Sequence, residues 1–216
     1  MPARNLFVAT LACLFSAAHT TGRAAEPQPP SQRWLAATAY AVPKETATEG
    51  EGYFAIVAGR DGRLYIGTHA NAINSWLVEF TPSAKQMKIV VDAHQAIGKD
   101  IKGFGAQSKI HTRNNVGPSG KIYFATKQGY PDKNEKRTDY PGGYPMVYDP
   151  ATGKTQVYPI PVPHQGIISI IADESRGLAY LSTCSDERPI ESTHFVVLDL
   201  KTGQYRDLLD CRHMYA

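Results

Sequence analysis

The chain has 216 residues, 42% of them hydrophobic and 20% charged, with a formal net charge of +3. Two positive charges, Arg4 and Arg23, lie in an N-terminal stretch with the make-up of a secretory signal, so a processed chain would carry about +1. Nucleic-acid binding wants a clustered basic face; here the Lys and Arg residues are scattered, and the one dense run, residues 133–137, includes Glu135 and reads as a solvated loop.

Arg4 supplies the positive start of the signal and residues 6–18 its short apolar run. Small residues follow, with cleavage expected after Ala18, Ala24 or Ala25. The run is shorter than the roughly 20 residues that span a bilayer, which leaves a signal anchor as the alternative. Cys13 lies inside it, and the apolar run continues past the cysteine, a poor arrangement for a lipoprotein site. The expectation is a secreted or periplasmic protein, with no stable membrane insertion once residues 1–25 are removed. Residues 26–50 are rich in Pro, Ala, Thr and Glu and read as a linker or edge segment.

Residues 51–216 contain one pattern three times. Gly62-Arg63-Leu64-Tyr65-Ile66-Gly67-Thr68, Gly120-Lys121-Ile122-Tyr123-Phe124-Ala125-Thr126 and Gly177-Leu178-Ala179-Tyr180-Leu181-Ser182-Thr183 place their tyrosines 58 and 57 residues apart. Each copy leads to a second strand-like run ending in a turn: Val78-Glu79-Phe80-Thr81-Pro82, Val147-Tyr148-Asp149-Pro150 and Val197-Leu198-Asp199-Leu200. A period of this length, built from short strands and tight turns, predicts an all-β fold of β-propeller blades.

The blades are expected over about 51–106, 107–163 and 164–216, each with four antiparallel strands. In the first, strands are predicted at 53–58, 63–68, 76–80 and 88–91. Asp61-Gly62 and Ser119-Gly120 mark hairpin turns, because glycine accepts positive φ without a steric penalty. Residues 92–99 allow one or two helical turns. The second repeat carries a long insertion, residues 128–143, with two tyrosines, two prolines and three glycines; long loops of this kind are often functional. A closed propeller needs four to eight blades. The sequence therefore reads as a partial propeller, either a piece of a longer protein or one of several chains that complete a ring.

The first strand of each blade lines the channel of a propeller. In the second repeat that strand is Lys109-Ile110-His111-Thr112-Arg113-Asn114. Strand alternation puts Lys109, His111 and Arg113 on one face, a set suited to an anionic ligand: histidine exchanges a proton near neutral pH and arginine holds a carboxylate with two hydrogen bonds. The other reading is a polar, water-filled channel. His164, ahead of the third blade's first strand, faces the same channel mouth or bonds to its own turn. His69 and Lys127 each follow the threonine that ends a second strand and are rim candidates. Tyr130, Tyr140 and Tyr144 crowd the insertion and could stack on sugar rings, or exchange a proton if charge lowered their pKa. Asp139, Asp186, Glu187 and Glu191 are loop acids without metal-ligand spacing. With no Cys-x-x-Cys and no regular Cys/His spacing, no metal site is expected; any other cofactor is unspecified. Cys184 and Cys211 are left open as a pair or as two free thiols.

The run Val147-Tyr148-Asp149-Pro150-Ala151-Thr152-Gly153 through Ile160-Pro161 to Pro163-His164-Gln165-Gly166 resembles the repeat of streptogramin-lyase-like propellers. The second repeat, from Lys109-Ile110-His111-Thr112 to Tyr140-Pro141-Gly142-Gly143 and Tyr148-Asp149-Pro150, also resembles secreted propeller polysaccharide lyases acting on uronate polymers. Together the two resemblances cover about residues 51–210. They imply β-elimination at a uronic acid, with Arg113 neutralising the carboxylate. His111 or a loop tyrosine, Tyr144 among them, would take the proton, and the other would protonate the leaving oxygen. Lys109, Lys127, Tyr130, Tyr140 and His164 would then contact an acidic polysaccharide or oligosaccharide. Lys127 and Tyr144 stand where such lyases often carry histidine. A non-catalytic propeller that binds carbohydrate or protein is the alternative expectation. A lactonase-like metal enzyme is a third, and the lack of clustered acids on inner strands argues against it.

Overall fold

The computed structural model describes residues 35–46, 53–187 and 190–214, with the side chains of residues 53, 54, 190, 213 and 214 left aside. The expected signal and most of the linker lie outside these residues. The chain divides into two units, Met1–Ala39 and Tyr40–Ala216. In the first, residues 35–39 form no regular secondary structure.

The second unit is all-β: three antiparallel blades of a partial propeller. Blade one runs β1 (Tyr53–Ala58), β2 (Leu64–Thr68), β3 (Trp76–Thr81) and β4 (Gln86–Asp92) in spatial order. Blade two has β5 (Lys109–Ile110) and β6 (Asn115–Val116) side by side along β7 (Ile122–Lys127), then β8 (Pro145–Asp149) and β9 (Lys154–Val157). Blade three runs β10 (Gly166–Asp173), β11 (Leu178–Cys184), β12 (Ile190–Asp199) and β13 (Tyr205–Met214). Gly62, Gly120 and Gly177 sit at φ +77°, +87° and +67° in equivalent first hairpins, a conformation that glycine reaches without strain. The short helical segment after β4 is α1 (Ala93–Ile97), whose first turn is capped by Asp92 accepting from the Gln95 backbone N–H.

Strand alternation gives each blade two faces. Tyr65, Leu77 and Val91 of blade one pack with Ile110, Ile122, Phe124, Met146 and Tyr148 of blade two. Tyr123, Ala125 and Val147 of blade two pack with Ile167, Ile170, Ala179, Leu181 and Leu198 of blade three. One threonine recurs at the end of each second strand. Thr68, Thr126 and Thr183 are buried, and their Oγ1 atoms accept the backbone N–H of Trp76, Tyr144 and His194 at 2.8, 2.9 and 2.9 Å. Thr126 and Thr183 in turn donate to Gln107 and Gln165. A hydroxyl that both donates and accepts leaves no buried polar group unsatisfied there.

Cys184 and Cys211 are free thiols. Thr193 pairs with Cys211, and the β11–β12 register, continued by two residues, sets Cys184 opposite Thr193. The cysteines are thus separated by a whole strand, about 9–10 Å at normal strand spacing, beyond the roughly 7 Å limit for a disulfide.

Candidate functional site

The inner strand of blade two is not continuous. Ile110 pairs with Thr126 and Asn115 with Tyr123, so the four residues 111–114 face only two residues of β7. This wide bulge leaves the β7 ladder without its usual backbone partner. Thr112 replaces it: its Oγ1 accepts the Ala125 N–H at 3.0 Å, and Thr112 is buried. The expected regular alternation over 109–113 therefore gives way. Thr112 turns inward to the ladder, while His111 and Arg113 project from the bulge into a cavity.

That cavity, about 270 Å³, is lined by His111, Arg113, Lys127, Ile168, Cys184, Asp186 and Glu191. The lining comes from the bulge of blade two's inner strand, from β10, from the ends of β7 and β11, from the β11–β12 connection and from the start of β12. The three blades meet here through two isolated backbone bridges, His69 with Lys109 and Arg113 with Ser169. The rings of His69 and His111 lie 5.2 Å apart. Lys109, almost fully buried, places its Nζ 3.8 Å from the centre of the exposed Tyr130 ring, a cation–π contact. Lys127 Nζ is 2.5 Å from Asp186 Oδ2, and the Glu191 carboxylate accepts from the Asp186 backbone N–H at 3.2 Å.

Electrostatics follow from this packing. Burial pushes the His111 imidazole down to a pKa of about 4, and the positive charge of Lys127, His69 and Lys109 adds to the effect. Asp186 opposes it. His111 is therefore neutral at physiological pH, next to groups that attract an anion. Burial also drives the Cys184 thiol up to about 12, which keeps it protonated despite the nearby Lys127 ammonium. Cys184, Asp186 and Glu191 offer donor atoms within 4.8 Å of one another, but the Lys127 ammonium already stands beside Asp186 as its cation.

Of the eight sequence-derived candidates, His111, Arg113 and Lys127 line the cavity. Lys109 and Tyr130 adjoin it through the His111 field and their own cation–π contact. The other three are placed differently. Tyr140 is completely buried, donates to Gln107 Oε1 at 2.8 Å, and is held well above the ordinary tyrosine pKa by that burial. Tyr144 packs in the core between blades one and two and accepts from Lys99 Nζ at 3.3 Å. His164, in a turn with φ +64°, bonds through Nδ1 to the Tyr140 carbonyl at 2.7 Å. The insertion folds back on its surroundings, which explains these positions: Glu135 accepts from the Phe104 N–H, and Arg137 donates to the Ser185 carbonyl. Its tyrosines fill space rather than hang over the channel, Tyr130 excepted.

Cys184, Asp186 and Glu191 are the cavity residues that the sequence reading did not bring together. A signal for one of them was present: Cys184 follows Thr183 as His69 follows Thr68 and Lys127 follows Thr126. Asp186 belongs to the β11–β12 connection and Glu191 to the start of β12, segments that no repeat alignment places near the axis.

No family model matches the chain, and no curated protein matches it. Among solved structures it is similar to a puromycin-hydrolyzing peptidase of Mycobacterium tuberculosis. The identity is 10% and the TM-score 0.30, over 74% of this chain and 29% of that chain. The chain thus spans less than a third of that protein's length.

Proposed function

We propose that this is an exported propeller whose central cluster binds a uronate-containing carbohydrate and promotes β-elimination at the uronate. The observation that supports this reading is a neutral imidazole, His111, held among cationic groups at a cavity wall. Arg113 and Lys127 would neutralise the substrate carboxylate, which acidifies the adjacent C5–H. His111 would take that proton as the C4–O bond breaks, leaving a C4–C5 double bond. The bound carboxylate would raise the proton affinity of His111 by offsetting the repulsion from Lys127 and Lys109. The imidazolium, or a water molecule, would protonate the departing oxygen. Tyr130 offers an exposed ring face at the rim on which a sugar could stack.

The second reading is a non-catalytic propeller that binds acidic carbohydrate or protein. The positions of Tyr140 and Tyr144 favour it, because neither hydroxyl lines the cavity where an acid would be needed. The deciding experiment incubates the protein with a panel of uronate polymers and follows the ultraviolet absorbance of the unsaturated product. A rise that His111→Ala abolishes, with the circular dichroism spectrum unchanged, supports the lyase reading. No rise with any polymer, together with polymer binding that survives His111→Ala, selects the binding module.

A further inference from the structure

A second cavity, of about 610 Å³, opens beside α1 on blade one, away from the His111 cluster. Its walls include Asn74, Trp76, Asp92, His94, Lys99 and Asp100. Trp76 and Asp92 are register partners across β3 and β4. The indole N–H donates to Asp92 Oδ2 at 3.1 Å. Asp92 Oδ1 accepts from Asn74 Nδ2 at 2.6 Å and from the Gln95 backbone N–H at 2.9 Å. Asn74 Oδ1 in turn accepts the His94 backbone N–H at 2.9 Å. The indole is therefore fixed in orientation with its one donor already used. What it offers a ligand is a part-exposed ring face.

His94 is only 6% exposed. Its Nε2 accepts the Gln107 backbone N–H at 3.1 Å, so the ring proton sits on Nδ1. Burial holds the imidazole below its ordinary pKa, in keeping with a neutral ring. Nδ1 is 3.6 Å from Asp100 Oδ1, too far for a direct hydrogen bond. A hydroxyl bridges such a gap, because it accepts from Nδ1–H and donates to the carboxylate; a ligand carboxylate cannot donate. The charges select in the same direction. Asp92 and Asp100 stand against the single ammonium of Lys99, which donates to Tyr144 Oη at 3.3 Å and lies 5.9 Å from the centre of that ring. The cavity is thus net negative, whereas Arg113, Lys127 and Lys109 gather at His111.

We infer that the α1 cavity is a second sugar subsite, which stacks an uncharged pyranose on Trp76 and holds one of its hydroxyls between His94 and Asp100. One connection, residues 69–75 between β2 and β3, joins this subsite to the His111 cluster. At its start His69 bridges to Lys109, with its ring 5.2 Å from that of His111. Within it Asn71 Oδ1 accepts the Tyr130 backbone N–H at 3.2 Å, which holds the exposed Tyr130 at the rim. At its end Asn74 steadies Asp92, and Trp76 follows with its backbone N–H on Thr68 Oγ1. Two strand spacings, roughly 10 Å, separate the two sites. Under the uronate reading, on which this step rests, one polymer reaches both, with a uronate at His111 and a neutral residue at Trp76. The substrate class is then a mixed chain of uronate and uncharged sugars rather than a pure polyuronate.

The test follows two signals of the isotope-labelled chain by nuclear magnetic resonance: the Trp76 indole N–H, identified with Trp76→Phe, and the His111 ring. The probes are neutral oligosaccharides of gluco, galacto, manno and xylo configuration, oligogalacturonate, and an oligosaccharide of equal length that alternates galacturonate with a neutral sugar. Neutral probes are expected to move Trp76 and leave His111 in place, and oligogalacturonate to do the reverse. The mixed probe should move both signals and bind at least about tenfold more tightly than oligogalacturonate, because the second contact is made within one complex. Trp76→Ala should remove that gain. Asp100→Ala, at a side chain 84% exposed and so expected to fold, should weaken the neutral probes several-fold. A Trp76 signal that no neutral probe moves overturns the inference. So does one that oligogalacturonate moves equally, or that only tetramethylammonium moves, which would assign the ring face to a cation. Movement of Trp76 by neutral probes while no uronate probe moves His111 supports the subsite and refutes the lyase proposal, so the two failures are told apart.

Discussion

Tyr123 of blade two donates its hydroxyl hydrogen to Glu174 of blade three at 2.8 Å, although the residues are 51 positions apart. The same carboxylate accepts from the Ser119 backbone N–H at 2.7 Å and from the Ser119 hydroxyl at 2.6 Å. One side chain on the β10–β11 hairpin thus ties down the β6–β7 hairpin of its neighbour. These bonds hold the Glu174 carboxyl below its ordinary pKa, against the opposing effect of burial.

Glu174→Ala removes an acceptor shared by three donors. It should lower stability by about 1–3 kcal/mol, read from the urea midpoint. The folded pKa lies below the unfolded one, so the contribution is present above the unfolded value. It is lost as pH falls through the lowered value. The difference between the wild-type chain and Glu174→Ala should therefore shrink in acid. A difference that persists undiminished well below pH 4 would contradict this.

The imidazole of His111 shows linkage of the same sign, in a higher pH window. Its folded pKa of about 4 lies below the ordinary 6.5, so between these values the unfolded chain binds the extra proton. Stability should fall as pH drops from about 6.5 to about 4 and then level off with respect to this group. Nuclear magnetic resonance titration of the ring should show a midpoint near 4 in the free protein, moving upward when a uronate oligosaccharide is added. An unmoved midpoint at saturating ligand would place the ligand elsewhere.

If the elimination chemistry holds, His111→Ala should reduce turnover by about 10²–10⁴-fold, the usual worth of a positioned base. Arg113→Lys keeps the charge but loses the two-pronged geometry, and should raise KM while lowering kcat less than Arg113→Ala does. Steady-state rates on the polymer that reacts best check both.

Asp186 competes with any anionic ligand for Lys127. Asp186→Asn should therefore tighten binding of a uronate oligosaccharide several-fold, and Lys127→Met should weaken it, both measured by calorimetry. Equal weakening by the two variants would mean that the ion pair itself supports the site.

The buried threonine relay gives a stability prediction independent of ligand. Thr126→Val leaves the Tyr144 N–H without its acceptor and takes one of two donors from the Gln107 oxygen, and should cost about 1–3 kcal/mol. Tyr140→Phe, which removes one donor to the same Gln107 oxygen, should cost less and leave carbohydrate binding unchanged. Chemical denaturation and calorimetry check these in turn.

The blade order, the hairpins and most strands were legible because they rest on local signals: glycine turns, alternation, and a tyrosine recurring at 58 and 57 residues. The site was legible only in part. Lys109, His111 and Arg113 were grouped on the assumption of an uninterrupted strand. They do gather near one cavity, but through a bulge whose geometry depends on Thr112 reaching across to Ala125. Nothing local in Ile110-His111-Thr112 announces that reach. Asp186, from the β11–β12 connection, and Glu191, from the start of β12, entered from segments whose position depends on blade three packing against blade two. Tyr140 and Tyr144 do lie in the loop before β8, but both are buried, which the polar look of the insertion does not announce. Its anchors, Glu135 on Phe104 and Arg137 on Ser185, are long-range contacts.

The bulge at residues 111–114 separates two tasks that strands usually combine. Thr112 secures the β7 ladder, while the side chains on either side of it, His111 and Arg113, line the channel cavity. Substitutions at positions 111 and 113 should therefore alter the cavity more than the β7 ladder. A scaffold arranged this way is suited to acquiring new ligands: diversity introduced at these two positions, with Thr112 kept, would sample chemistry at constant architecture.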